Sequence, residues 1–404
     1  MTLSLDSIRA AAARIGGRVH RTPCYESLRL GRLLDARVWL KCEHLQETGS
    51  FKERGACNKL LDLDAGERAL GVVAASAGNH ALGLSFHGRS LGVPVTVVMP
   101  RFASILKVRR CRDLGARVIL HGDNFDEARE RALALAREQR ACFVHGFDDL
   151  SVMAGQGTVA LEMLEQAPDL DAVLVPVGGG GLISGVGVAM RALAPALRVI
   201  GVEPEHAATL SAALRSTDGA SVEIDLEPTL ADGLSVRRAG TECLAIARSV
   251  VDKVLLVDEP MIADGIVQLL ELEKSVVEGA GAIGIAALKK FPDELRGLRV
   301  GVILSGGNID VSVLSRVIER GMAAQGRLCR IQVPLTDHPG TLAHLLAVLA
   351  DTGASIKQVD HDRAFGPADV SIVTVRCVLE TRDREHIEQI HAALDAHGIR
   401  HERA

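Results

Sequence analysis

Short apolar runs, several of them β-branched, recur along the chain with long helical patterns between them, at residues 37–42, 72–75, 93–99, 117–120, 142–145, 172–177, 198–202, 253–257 and 299–304. Runs of four to seven residues have the length of strands, and the intervals are long enough for crossover helices. This alternation leaves few folds open. It predicts an α/β body of open twisted parallel sheets with helices on both faces. Composition agrees: 48% of the residues are apolar but only 2% aromatic, so the core is built mainly from Ala, Val, Leu and Ile, which suits parallel sheet buried under helices. The longest uncharged stretch, 172–190, has the length of a membrane span, yet Pro176 and four consecutive glycines interrupt it. It reads as a strand, a loop and a helix start.

A chain of 404 residues has room for two or three domains. Its 46 basic and 51 acidic side chains leave a net charge of −5, which would repel phosphate backbones and anionic head groups alike. Neither a nucleic acid nor a membrane is expected as a partner. Residues 1–13 include Asp6 and Arg9 and lack an apolar stretch of signal-peptide length. The eight cysteines are scattered without a C-x-x-C pair, and the 14 histidines show no ligand spacing. Reduced thiols in a cytoplasmic protein, with no structural metal, are the expectation. Glu203, after the run 198–202, is a lone carboxylate without companion ligands and is assigned no metal.

The pattern changes after residue 318. Residues 321–327, with Gly321 and Gly326, read as a linker between a body of residues 1–320 and a small domain of residues 328–404. The small domain shows a strand (329–333), a helix (341–351), two strands (354–360 and 369–379), a helix (384–396) and a short final strand near 399–401. This βαββαβ order is that of a ferredoxin-like unit.

Within the large body, several segments carry chemistry. Ser76-Ala77-Gly78-Asn79-His80 closes one strand and opens a helix, where unpaired backbone N–H groups and the helix dipole suit a carboxylate. Gly178-Gly179-Gly180-Gly181-Leu182 follows another strand; its glycines let successive N–H groups converge on a phosphate. Neither a Walker lysine nor G-x-G-x-x-G spacing accompanies it, so nucleotide motifs explain it less well. The segment Lys41 to Ala56 contains Ser50-Phe51-Lys52, and Ser305-Gly306-Gly307-Asn308 follows the run 299–304.

Taken together and in chain order, these four segments and a fifth, Thr229-Leu230-Ala231-Asp232-Gly233, resemble the serine and threonine dehydratases, pyridoxal-phosphate enzymes of fold type II, whose body is similar to the tryptophan synthase β subunit. The resemblance spans residues 15–317. It implies that Lys52 bonds pyridoxal 5′-phosphate covalently and is the catalytic base. It further implies that Gly178 to Gly181 and Leu182 hold the cofactor's phosphate and that Ser305 faces its ring nitrogen. Asn79 would bond its phenolic oxygen, and Phe51 and Gly233 would cover the two faces of its ring. Ser76 to His80 would bind the substrate carboxylate. A neutral serine at the ring nitrogen makes a weaker electron sink than an aspartate would, which suits β-elimination. Related serine racemases carry a second serine where this chain has Ala77, so a one-base lyase is favoured over a two-base racemase. Leu82 and the Glu278 to Gly281 segment depart from the usual family pattern and bear on substrate choice. The implied reaction is deamination of L-threonine to 2-oxobutanoate and ammonia, with L-serine also accepted. The alternatives are a serine or 3-hydroxyaspartate ammonia-lyase or racemase and, from another class, a non-catalytic amino-acid sensor.

In the C-terminal part, Asp337-His338-Pro339-Gly340-Thr341-Leu342 resembles the turn of ACT domains, small regulatory modules that bind amino acids. Asp337, Gly340, Thr341 and Leu342 are the implied effector residues, with isoleucine or valine as the effector. The alternative is a domain that only assembles subunits. A homo-oligomer, tetramer or dimer, is expected from the resemblance.

Overall fold

The computed structural model describes residues 2–216, 221–363, 369 and 371–402. The chain divides into two compact units, Met1–Ile309 and Asp310–Ala404. Numbered along the chain, the strands of the first unit are β1 (Cys24–Ser27), β2 (Arg37–Lys41), β3 (Val72–Ala75), β4 (Val95–Met99), β5 (Arg117–Leu120), β6 (Cys142–Phe143), β7 (Ala172–Pro176), β8 (Arg198–Pro204), β9 (Lys253–Val257) and β10 (Arg299–Ile303). They form two sheets. The larger has the order β1-β2-β10-β7-β8-β9 and the smaller β5-β4-β3-β6.

Every predicted run coincides with or overlaps one of the strands β2 to β10, β8 extending two residues beyond its run. All pairings are parallel except that between β1 and β2, which is antiparallel. β1 was not foreseen: Cys24 to Ser27 is only four residues long, lies at a sheet edge and runs straight into the helix Leu28–Leu34, so it lacks the continuous apolar signal of a central strand. β4 and β7, by contrast, are buried at every position.

Helices tie the two sheets together. The helix Leu150–Gln166 starts at Asp149, whose carboxylate accepts from the N–H groups of Ser151 and Val152. It packs closely on two others. A β-carbon on Gly155 would lie 2.6 Å from Gly55 Cα in the helix Lys52–Asp62. On the other side Gly157 meets Gly185 of the helix Gly181–Leu193, with 2.9 Å between a Gly157 β-carbon and the Gly185 carbonyl oxygen. The helices that begin at Lys52 and at the tetraglycine loop are thus braced by one intermediate.

A buried ion cluster reinforces this brace. Arg54, wholly enclosed, donates to both oxygens of the equally buried Glu43 at 2.7 Å each and to Glu162 Oε1 at 2.6 Å. Lys41 is also enclosed and joins Glu162 and the carbonyl of Thr22.

The second unit begins with the helix Val311–Ala324. The boundary expected at residue 320 therefore falls earlier. Residues 321–324, expected as linker, complete that helix, because Met322, Ala323 and Ala324 outweigh the roughly 1 kcal/mol that Gly321 costs. Residues 325–327 close it with a turn, Arg327 N–H reaching the Met322 carbonyl at 2.8 Å and Gly326 at φ 74°. Three strands follow: β11 (Leu328–Thr336), β12 (Ser355–Asp362) and β13 (Ile372–Glu380), in the order β11-β13-β12, antiparallel throughout. The helices Thr341–Asp351 and Arg384–Ala396 cover the sheet. The final strand expected at 399–401 is reduced to one bridge, Gln332 to Glu402 on the free edge of β11. Residue 370, inside the expected strand 369–379, lies outside the described residues.

Candidate active site

Two segments distant in sequence are joined by their backbones at the centre of the first unit. Phe51 N–H donates to the Ser305 carbonyl at 3.0 Å, Gly307 N–H to that of Gly49 at 2.9 Å, and Ser50 bridges Gly306. β2 and β10, which precede these segments, are parallel neighbours in the larger sheet, and beyond them the two segments meet again in a separate antiparallel bridge. It sets Ser305, itself 2% exposed, beside the start of the helix Lys52–Asp62.

Lys52 is half-buried, and protein crowds its amine. Nζ donates to the Gly146 carbonyl at 2.7 Å and lies 5.1 Å from the centre of the Phe51 ring. Among the described residues no carboxylate forms an ion pair with it. Burial therefore pushes its pKa down from 10.5 to about 8, opposed only in part by Cys243. Gly146 leads to Phe147, against which the tetraglycine loop is packed. A β-carbon on Gly179 would overlap the Phe147 ring, and one on Gly181 would lie 2.8 Å from the Phe147 carbonyl oxygen. Gly180 sits at φ 98°, where a side chain is strained, and caps the helix Gly181–Leu193. The first N–H groups of that helix have no intrahelical acceptor. Leu182 is buried in the core and offers only its backbone.

Gly178 adjoins Leu234, 2.9 Å separating a β-carbon there from Leu234 Cα, and this brings in the turn Asp232–Leu234 with the exposed Gly233. Asn79, first residue of the helix Asn79–Leu91, accepts from Asn308 Nδ2 at 2.9 Å through Oδ1 and donates to Glu278 Oε1 at 2.8 Å through Nδ2. All five predicted segments thus converge on one place. Ser76, Ala77 and Gly78 are half-buried at its rim, Ser76 Oγ accepting from Gly78 N–H at 3.2 Å. His80 turns away: its Nε2 lies 3.3 Å from the Val144 carbonyl, and burial with Lys52 nearby pushes its pKa down to about 3, so the ring is neutral. Phe51 packs partly against the core of the larger sheet.

These features suit pyridoxal phosphate. An enclosed amine without a carboxylate partner is what an aldehyde needs for capture, and a glycine loop at a helix start is an anion seat. Lys52 would hold the cofactor, the loop its phosphate and Ser305 its ring nitrogen.

Glu203, by contrast, serves the backbone. Its carboxylate accepts from the N–H groups of Leu210 and Ser211, at 2.6 and 2.9 Å. Among the described residues no group of three or more His, Cys, Asp or Glu is arranged to hold a metal. All eight cysteines are free, and among the described residues no helix is long and apolar enough to cross a membrane. In the second unit, Asp337 is paired with Arg363 at 2.8 Å, and Thr341 Oγ1 is bonded to the carbonyls of Thr336 and His338. Gly340, at φ 96°, begins the helix Thr341–Asp351, and Leu342 packs on the core.

Residues 15–306 match the family described as pyridoxal-phosphate dependent enzyme. The chain belongs to that family. It is 43% identical over 396 residues to an L-threonine ammonia-lyase of Thermotoga maritima, covering 98% of each chain. A protein of the same name from Geobacter sulfurreducens is 45% identical over 392 residues, 97% of each. A solved serine racemase of maize superposes with a TM-score of 0.74 at 34% identity, over 80% of this chain and 99% of that one.

Gly146, Phe147 and Glu278 were not picked out from sequence as parts of the site. The first acts through a carbonyl and the second through shape, which no motif encodes. Glu278 carried one signal, a carboxyl group within a segment already noted as unusual.

Proposed function

We propose that this protein eliminates and deaminates L-threonine to 2-oxobutanoate and ammonia, accepting L-serine as a second substrate. The observation that carries the reading is the Lys52 amine, enclosed, paired with no carboxylate among the described residues, held on the Gly146 carbonyl and next in sequence to Phe51, whose backbone joins the Ser305 loop. Pyridoxal phosphate, when bound, supplies an electron sink that acidifies the Cα–H bond of an amino acid. The chain supplies the rest. Ser76 to Asn79 receive the substrate carboxylate at a helix start, which orients Cα toward Lys52. The amine, once exchanged for the substrate's, takes the Cα proton; its lowered pKa keeps a useful share of it neutral near physiological pH. The Cβ–O bond breaks and the hydroxyl leaves as water with the proton that Lys52 has taken from Cα; the released unsaturated amine tautomerises to an imine and hydrolyses in solution to ammonia and 2-oxobutanoate. Ser305, neutral, favours this elimination over paths that need a long-lived carbanion.

Ala77 supports a lyase over a racemase, since a methyl group has no proton to return to the opposite face. Discrimination against serine rests on one methyl group, worth about 1–3 kcal/mol. Assay of 2-oxo acid release from L-threonine, L-serine and 3-hydroxyaspartate tests the reading. Threonine should give the highest kcat/KM, and absence of 2-oxobutanoate from a cofactor-saturated sample would overturn it.

The βαββα order of the second unit and its 337–342 turn support an ACT domain that senses a branched-chain amino acid within a homo-oligomer. With Asp337 paired with Arg363 and both the hydroxyl and the N–H of Thr341 engaged in the turn, the N–H groups of Leu342 and Ala343 in the first turn of the helix Thr341–Asp351 are the donors left for an effector carboxylate. Free thiols and the acidic charge balance fit a cytoplasmic setting.

A further inference from the structure

Glu278 is a buried carboxyl group that none of these steps uses. It precedes the helix Gly279–Lys290, yet its side chain does not cap it. The carboxyl group points instead to where three loops of the site meet. Oε1 accepts from Asn79 Nδ2 at 2.8 Å. A β-carbon on Gly306 would overlap it, and one on Gly233 would lie 3.8 Å away. Glu278 N–H donates to the Gly306 carbonyl at 3.0 Å, which ties the residue to the Ser305 loop.

The other end of the Asn79 amide is held as well. Asn308 Nδ2 donates to Asn79 Oδ1 at 2.9 Å and to the Thr48 carbonyl at 2.7 Å. A carboxyl acceptor on one side and an amide donor on the other fix which atom of Asn79 is nitrogen and which is oxygen. Nδ2 has two hydrogens; with one on Glu278, the second is free to point into the site. Burial and Asp232 push the Glu278 carboxyl up, to about 7, while Asn79, Lys107 and the Asn308 backbone pull it down.

We propose that Glu278 is a positioning residue, which locks the Asn79 amide so that its remaining N–H meets the phenolic oxygen of the bound cofactor. The proposal rests on the reading of Asn79 as a cofactor contact. Removing the acceptor frees the amide to rotate, and a lost hydrogen bond of this kind is worth about tenfold in affinity.

The test compares wild type, Glu278→Ala, Glu278→Gln and Glu278→Asp as full chains, without substrate. Cofactor affinity and the absorption maximum of the bound chromophore are read, and the Lys52 adduct is confirmed by borohydride reduction and peptide mapping. E278A should weaken cofactor binding about tenfold and move the maximum. E278Q, which keeps an oxygen acceptor, should restore both. Where E278A does not fold, E278D, one methylene shorter, should show the same loss. Wild-type affinity and maximum in E278A or E278D, or equal defects in E278Q and E278A, would overturn the proposal. A wild type without an adduct on Lys52 would instead overturn the cofactor reading beneath it.

Discussion

A lysine amine enclosed by protein and balanced by no carboxylate costs the fold free energy whenever it is charged. For Lys52 the folded pKa, about 8, lies below the ordinary 10.5. The sign follows: above pH 10.5 the residue costs nothing, and as pH falls toward 8 the full penalty develops. The same shift makes the amine a nucleophile near neutrality. The rate at which cofactor-free protein captures pyridoxal phosphate should rise with pH through about 8 and then level off, as stopped-flow absorbance between pH 6 and 10 would read. A rise that continues to 10.5 would mean an ordinary amine. The Arg54, Glu43 and Glu162 cluster is the opposite case, in which each buried charge has its partner. Glu43→Gln should lower stability by about 3–5 kcal/mol in urea unfolding, because Arg54 is left under-compensated in the core. At this scale the sequence was readable where a residue type is itself the chemistry, as with Lys52, Asn79 and Ser305. It was silent where a carbonyl such as that of Gly146 or the shape of Phe147 does the work.

Elements were readable in proportion to their apolar pattern. β4 and β7, buried throughout, stood out, whereas β1 is only four residues long and mostly half-buried, with too little apolar pattern to signal itself. The helix Val311–Ala324 was cut short in the reading by Gly321, whose local cost the alanines around it overcome. The tetraglycine loop was legible because glycine is needed there twice over, for close packing and for the positive φ of Gly180. Gly180→Ala should cost about 1–2 kcal/mol from the left-handed backbone, with further strain where its β-carbon meets Cys243 Cβ at 2.9 Å. Inorganic phosphate or the cofactor should then raise the Tm of the variant less than that of wild type. An equal rise would show that the loop does not hold the anion.

For the molecule as a whole, the division at Ile309 and Asp310 makes a separable regulator testable. A chain ending at residue 309 should keep its turnover of threonine and lose any response to isoleucine or valine. The full chain should show a Tm shift with one of these amino acids. Loss of activity on truncation would mean that the second unit contributes to catalysis or to assembly of an active oligomer. That two units exist was legible from the change of pattern after residue 318. Their boundary was not, because the helix that opens the second unit differs little in composition from those of the first.

The backbone pairing of residues 49–51 with 305–307 has a consequence for synthesis. A growing chain on the ribosome cannot finish the pocket around Lys52 until residue 307 has cleared the exit tunnel, since one wall of that pocket arrives last. Nascent chains stalled or cleaved earlier therefore carry the lysine without its enclosure, with an amine as basic and as sluggish toward aldehydes as any on a protein's surface.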